Sequence, residues 1–427
     1  MADTDTIDAN IEGHSIRQLR LDDLKRRLYG AGENGREFRR RFTHLERIDS
    51  LPMPGPPDEA WRRIDFASFP LDDLTIASAE FAADGVDGTD LPNGVAAHSS
   101  GSEAHSTFHR RYADLSSRRS GRIRDRANDV RDNRLKSINE ALATRPLVLK
   151  IDGQPSDPVI VTVRATEPTG AREAGSLSLP QLLIHGGAGS SASIVLVFVG
   201  SDTTIARTKV VLEADAELRV TTVSIGGTRF QHDSALLDTG ARIHSGYVTA
   251  NCDPAMIEAV ATLAGERAQA SVSGLAVGGA DRFSGQKLSV DHLAPRTVSD
   301  TRWHSVLRDT ARSLFVGNIT IPQGARASRG TEQSHALLLS ESARAESIPQ
   351  LEIIENDVEC SHGATVAGPD PDTVYYLQSR GIPRDRVEAL LASAFCRQII
   401  DPLDLPTEVL TILKEAISHE VDITNDN

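Results

Sequence analysis

Apolar positions along the chain change their period twice. In the first 145 residues they recur at roughly helical spacing. Ile16, Leu19, Leu21, Leu24 and Leu28 sit among charges and predict an amphipathic helix over residues 16–29. A basic run over 37–48 predicts a second, solvated helix. The proline-rich segment 51–57 ends it, because proline removes a backbone donor and fixes φ. Over 82–120 the periodicity fades into Gly, Ser, Asp and His, the composition of a loop or linker. Residues 118–142 predict a charged helix. From about 147 to 365 the chain turns into short Val/Ile/Leu runs at close intervals, which read as strands. Helical spacing returns after residue 383. Val387, Leu390, Leu391, Ala394 and Phe395 form one apolar stripe at i, i+3, i+4, i+7, i+8, and Val409, Leu410, Leu413 and Ile417 form another.

Small residues mark a recurring corner within the strand-rich body. Ala192, Ala216, Ala241 and Ala268 are separated by 24, 25 and 27 residues, with Ala325 and Ala343 as later members at irregular spacing. A unit of that length, holding short strands and tight turns, is what one coil of a β-helix requires. No coil buries its own inner face, so each must stack on its neighbours. A β-sandwich is the alternative, but Asn-Gly and Asp-Gly hairpin signals are scarce in the body. The pattern therefore predicts a mainly β chain: a right-handed parallel β-helix over 146–368. An N-terminal helical region (1–145, with a flexible linker near 82–120) precedes it, and a C-terminal helical domain (369–427) follows.

The body gives way to the tail across residues 349–381, PQLEIIENDVECSHGATVAGPDPDTVYYLQSRG. Leu351, Ile353 and Ile354 predict a short buried strand, 355–357 a polar turn, and 358–362 extended chain again. Asp370-Pro371-Asp372 supplies an N-cap with proline in the first turn, and Gly381 falls where a helix C-cap belongs. PQLEI, NDVECSHGAT and YYLQSRGI closely resemble the C-terminal signature of the SufB/SufD family, scaffold subunits of iron–sulfur cluster assembly. The CSHGAT form looks more like SufD than SufB. Residues 58–74 resemble the E-x-W-R-Y-T-D-L box near the start of SufD proteins through Glu59, Trp61, Arg62 and Asp65, with Arg63 and Ile64 where Tyr and Thr are usual. Ile138-Asn139-Glu140-Ala141 stands where the family has its L-N-x-A segment. The match is densest over 291–365, where His304 replaces a frequent Lys and Ala336 an Asn.

The resemblance implies a non-catalytic subunit of the SufBCD iron–sulfur assembly complex. The first tail stripe (Val387, Leu390, Leu391, Ala394 and Phe395) either caps the coil end or presents a partner surface, and the resemblance implies the second. It would grip a SufC-type ABC ATPase, while the β-helix would face a SufB-type subunit or a second copy of itself. It implies no stably bound cofactor, only a transient iron–sulfur cluster where two β-helices meet. A SufB-like subunit carrying cluster ligands itself is the alternative within the family. Outside it stands a β-helix polysaccharide lyase, which clustered Asp or Arg on one face would support.

Composition narrows the choice. The net charge of −14, from 46 basic and 60 acidic residues, argues against a nucleic-acid groove. Cys252, Cys360 and Cys396 form neither a disulfide framework nor a CxxC zinc motif, which fits a reducing cytoplasm. The first residues are acidic and polar, unlike a secretory signal, and no apolar run approaches the roughly 20 residues that span a membrane.

Cys360 and His362 are the sharpest candidates for chemistry. Two apart on a strand, they point to one side, so thiolate and imidazole share a surface suited to iron or a cluster. The bland alternative makes Cys360 a small buried hydrophobe and His362 a hydrogen-bonded corner residue. The run HGGAGSS over 185–191 lacks the GK[ST] ending of a phosphate loop and reads as a β-helix corner. His292 and His304 read as structural residues of the body, and Cys396 as a packing residue.

Overall fold

Each coil of the body contributes one strand to each of two sheets, and within the body every strand lies parallel to its neighbours. In the computed structural model one sheet holds Ser191–Val199, Glu217–Ile225, Arg242–Ala250, Gln269–Gly278, Val298–Leu307, Ser328–Leu338 and Val358–Ala367 in that spatial order. The other stacks Thr203–Leu212, Thr228–Leu237, Ala255–Leu263, Phe283–His292, Arg312–Ile321 and Arg344–Ile353. This is the expected parallel β-helix, of about 7 turns. The structure describes residues 11, 13, 15–16, 36–48, 50–51, 53–54, 71–77, 79–83, 91–98, 103–117, 133–143, 146–165 and 175–421. The expected helix beyond residue 16 and the Trp61 box over 58–70 lie outside them.

The corners follow one rule. Gly189, Asp215, Gly240 and Arg267 adopt φ of 68°, 56°, 68° and 61°. Each directly precedes a small buried residue: Ser190, Ala216, Ala241 or Ala268. The left-handed residue turns the chain sharply, and the next Cβ is driven into the inner corner, where only a small side chain fits. Each turn closes with a backbone hydrogen bond, as from the Ala216 N–H to the Glu213 carbonyl at 3.1 Å. Arg296-Thr297 and Ala327-Ser328 repeat the device. Ala192 does not belong to it. That residue pairs with Leu218 inside a strand, and Ser190 holds the corner of its coil. Ala325 lies in a corner as expected, whereas Ala343 sits with Ala311 on the opposite one. Coils lengthen from about 25 residues, where Arg242 stacks on Glu217, to about 30, where Glu359 stacks on Arg329. That growth made the later spacings irregular.

Both outer faces of the body are covered, which is why its strands read as nearly continuous apolar runs. Helix α1 (Arg36–Arg47), α2 (Glu103–Ser117) and α3 (Arg134–Leu142) lie on the second sheet's side. Leu135, Ile138 and Leu142 of α3 pack on Ile205, Phe230 and Met256. Beside them Glu258 is ion-paired with Lys136 at 2.9 Å and hydrogen-bonded to His232 at 3.1 Å. Burial alone would raise the Glu258 pKa, but Lys136 and His232 hold it well below the usual carboxylate range. The basic helix α1 is less solvated than its charge suggests, since it buries Leu45.

Residues 82–120 depart from the loop expectation. They contain strand Val95–His98, paired antiparallel with Leu147–Ile151, and α2, whose Phe108 and Leu115 pack on Val148, Leu183 and Leu236. Two apolar anchors seven residues apart make too thin a stripe to register as periodicity.

Helices α4 (Pro371–Ser379), α5 (Arg384–Ile400) and α6 (Thr407–Val421) form the tail. Asp370 caps α4 by accepting the Thr373 N–H at 3.0 Å, with Gly381 at φ 87° beyond its end, as the residues predicted. Ala392, Cys396, Ile399, Val409, Leu413 and Ile417 cover Val197, Val223, Val248 and Val277 of the first sheet. Glu420 locks the tail in place, accepting the Gly279 N–H at 2.6 Å and pairing with Arg282 at 3.0 Å. No helix among the described residues is long and apolar enough to cross a membrane.

Candidate functional site

The C-terminal end of the solenoid is open. Among the described residues Arg344–Ile353 and Val358–Ala367 are the last strands of their sheets, so each has one edge without a neighbour in its sheet. Ile353, Ile354 and Val366 are exposed there at 38%, 54% and 44%, which corrects the expectation of a buried strand at 351–354. The strand forms, but among the described residues no further coil lies on it. Unpaired edges and bare apolar side chains are features that folded chains usually cover or blunt.

Cys360 and His362 lie on that last strand. Register places Cys360 on Gly330 and His362 on Glu332 of the preceding coil. Gly330 and Glu332 face the interior, and parallel strands in register share their facing, so Cys360 and His362 point the same way. Cys360 is half-buried against Ile319, Ile321 and Leu351, and burial raises its thiol pKa above the ordinary value. His362 is exposed. The two sequence candidates thus meet at the mouth of the β-helix lumen.

Glu332, directly behind them, escaped the sequence reading. It is 2% exposed, and burial pushes its carboxyl up to about 8, so it is neutral at pH 7. Its Oε1 is buried without a hydrogen-bond partner. The carboxyl reaches across the lumen to Gly317 on the opposite sheet. A Cβ built on Gly317 would overlap the carboxyl carbon and both oxygens, so only glycine leaves this space. Strand alternation in SRGTEQSHALL is compatible with an inward Glu332, but nothing short of the coil register identifies it. Among the described residues no three His, Cys, Asp or Glu side chains converge closely enough to hold a metal ion as they stand.

The other sequence candidates separate into structure and surface. The tail stripe is divided. Val387 is fully buried, and Phe395 packs on the body while stacking on His304 at 4.2 Å. Leu390 and Ala394 are exposed and Leu391 is half-buried. The face seated on the β-helix runs instead through Ala392, Cys396 and Ile399, rotated from the predicted stripe. His292 lies inside the body rather than on it. Its Nδ1 is 2.8 Å from Thr297 Oγ1, its Nε2 is 2.9 Å from Ser299 Oγ, and burial lowers its pKa to about 4. His304 donates or accepts within the tail interface, with Nδ1 3.1 Å from the Phe395 carbonyl. A carbonyl only accepts, so Nδ1 carries the proton. Ser190 occupies a coil corner, its N–H donating to the Gly187 carbonyl at 3.0 Å, as the HGGAGSS run predicted, whereas His185 lies in the strand Gln181–Gly186 before it. Cys252 is buried among the Ser224, Gly226 and Ala250 carbonyls, and its thiol is pushed up to about 11.

A family model described as "SUF system FeS cluster assembly, SufBD core domain" matches residues 169–395 of this chain, which is most of the solenoid and the first part of the tail. The chain belongs to the SufBD family. Among curated relatives of this SufBD protein, the iron–sulfur cluster assembly protein SufD of Bacillus subtilis is 39% identical over 102 residues. That covers 24% of this chain and 23% of the relative. SufD of Escherichia coli is 35% identical over 99 residues, 23% of each. A SufBD-family protein of Mycobacterium tuberculosis is 31% identical over 160 residues, 38% of this chain and 19% of the relative. The chain thus aligns with about a fifth to a quarter of the length of these relatives. Membership favours the SufB/SufD resemblance over the polysaccharide-lyase alternative.

Proposed function

We propose that this SufBD protein is a SufD-like scaffold subunit of iron–sulfur cluster assembly. The open solenoid end carries the reading: two unpaired strand edges, bare Ile353, Ile354 and Val366, and Cys360 and His362 on the last rung of the lumen. A second β-helix, from a SufB-type subunit or another copy of this chain, would pair with those edges and enclose both side chains. A cluster would form transiently between them as cargo, using thiolate and imidazole as iron donors. The SufB-like alternative is less favoured, because Cys252 is buried with its thiol protonated. In this reading ATP hydrolysis belongs to a SufC-type ABC ATPase gripped by the tail, and the chain itself transmits the movement. Leu390, Leu391 and Ala394 are the stripe residues left at the surface for that contact.

Truncating the tail is a poor test, since it would strip the cover from Val197, Val223 and Val248. The full-length chain and its Leu390→Glu/Ala394→Glu double variant keep that cover. Each would be used as bait in an affinity pull-down, with retained proteins identified by mass spectrometry. Retention of an ABC-type ATPase by the wild type and its loss in the double variant is the expected result. If the wild type retains no ATPase, the scaffold reading is wrong.

A further inference from the structure

One ladder of the lumen changes character in the last two coils. Along one inward ladder the residues run Ile194, Val220, Ser245, Val272, Thr301, Glu332 and His362. Apolar or small polar side chains fill it until the final coils, where a carboxyl and an imidazole follow one another. Adjacent rungs are about 4.8 Å apart, so in-register side chains at 332 and 362 can reach one ion between them. Cys360 starts about 7 Å along the strand from His362 and faces the same way. Gly330 and Gly317, one on each sheet, keep the space around this ladder free of Cβ atoms. The carboxyl Oε1 lies buried and without a partner in that space, an arrangement that costs free energy unless something else meets it.

We propose that Glu332 is a third donor at the lumen mouth, closing with Cys360 and His362 a mixed sulfur–nitrogen–oxygen site for one Fe(II)-like divalent cation. The inference rests on the reading of Cys360 and His362 given above and adds the inner wall to it. In the rotamers seen, the three groups do not converge. His362 is exposed and free to turn inward, whereas Glu332 is held by its burial. The donor set fits a borderline cation: a thiolate and an imidazole select against Mg²⁺ and Ca²⁺, and a carboxylate adds charge balance. The Glu332 carboxyl and the Cys360 thiol each release a proton to solvent as the cation takes its place. The Glu332 backbone is fixed within a paired strand, one rung behind His362, so a turn of the side chains alone brings its oxygen to the ion.

The test is an anaerobic titration of the full-length chain with Co(II), an optical stand-in for Fe(II), followed by thiolate-to-cobalt charge transfer in the near ultraviolet. Wild type is compared with Glu332→Gln, Cys360→Ser and His362→Ala, the first being isosteric and neutral. The expected result is a charge-transfer band in wild type and at least a tenfold weaker apparent affinity in Glu332→Gln. The band should vanish in Cys360→Ser. Wild-type affinity in Glu332→Gln, with loss in the other two variants, overturns the role of Glu332 and leaves the Cys360–His362 pair standing. No cobalt binding by wild type, or binding indifferent to all three changes, overturns both.

Discussion

Glu332 makes a pH signature that is separate from any ligand. Unfolded, its carboxyl titrates near the ordinary 4.5; folded, it titrates near 8. Between those values the folded chain keeps a proton that the unfolded chain has released, so folding stability falls as pH rises through this window. The stability is fully present below about 4.5 and lost by about 8. At 1.36 kcal/mol per unit of pKa, the shift corresponds to a loss on the order of 5 kcal/mol. Glu332→Gln keeps the shape and removes the titration. Comparing variant with wild type at each pH cancels every other titrating group, because both chains share them. Guanidinium denaturation followed by far-ultraviolet circular dichroism at pH 5 and pH 9 measures the difference. The variant should match the wild type within about 1 kcal/mol at pH 5 and exceed its stability by several kcal/mol at pH 9. A difference between the two chains that stays constant from pH 5 to pH 9 would refute the buried, neutral carboxyl.

Two further outcomes follow from the interior. Gly274 lies one rung behind Trp303, and a Cβ built there would overlap the indole ring, which is fully buried and stacked on Phe315 at 6.3 Å. Gly274→Ala should destabilise the body by about 1–3 kcal/mol or more and alter the near-ultraviolet dichroism of Trp303; wild-type values for both would contradict this packing. The three thiols should also differ sharply toward a disulfide reagent at pH 8. Cys252 and Cys396 are buried with thiols pushed up to about 11 and about 12, while Cys360 is half-buried at the open end. One thiol should react in the native chain and none in Cys360→Ser, whereas equal reaction of all three would show that the interior is open.

How much was legible depended on whether a signal was local. The αL corners show the limit clearly. Ala216, Ala241 and Ala268 were visible as small residues at a coil-like spacing, but the left-handed residue before each is Asp215, Gly240 or Arg267, and only the glycine announces itself. Ala192 was misassigned because a small residue in a strand looks the same in sequence as one in a corner. The tail stripe was divided for a related reason. Periodicity in α5 identified a helix with apolar sides, but which side meets the body depends on Val197, Val223 and Val248, more than 130 residues earlier in the chain.

By itself, then, the sequence determined the parallel β-helix, the helical tail, the capped start of α4 and the pairing of Cys360 with His362 on one side of a strand. All of these rest on spacings of a few residues or on a repeat of about 25, which local sterics and strand alternation impose directly. Only the tertiary structure decided that this strand is the last, that its side chains open onto a lumen, and that Glu332 stands behind them facing Gly317. Those facts arise from stacking register between coils about 30 residues apart. Register is a sum of all the inter-coil contacts and corner lengths, and no short segment of the chain encodes it.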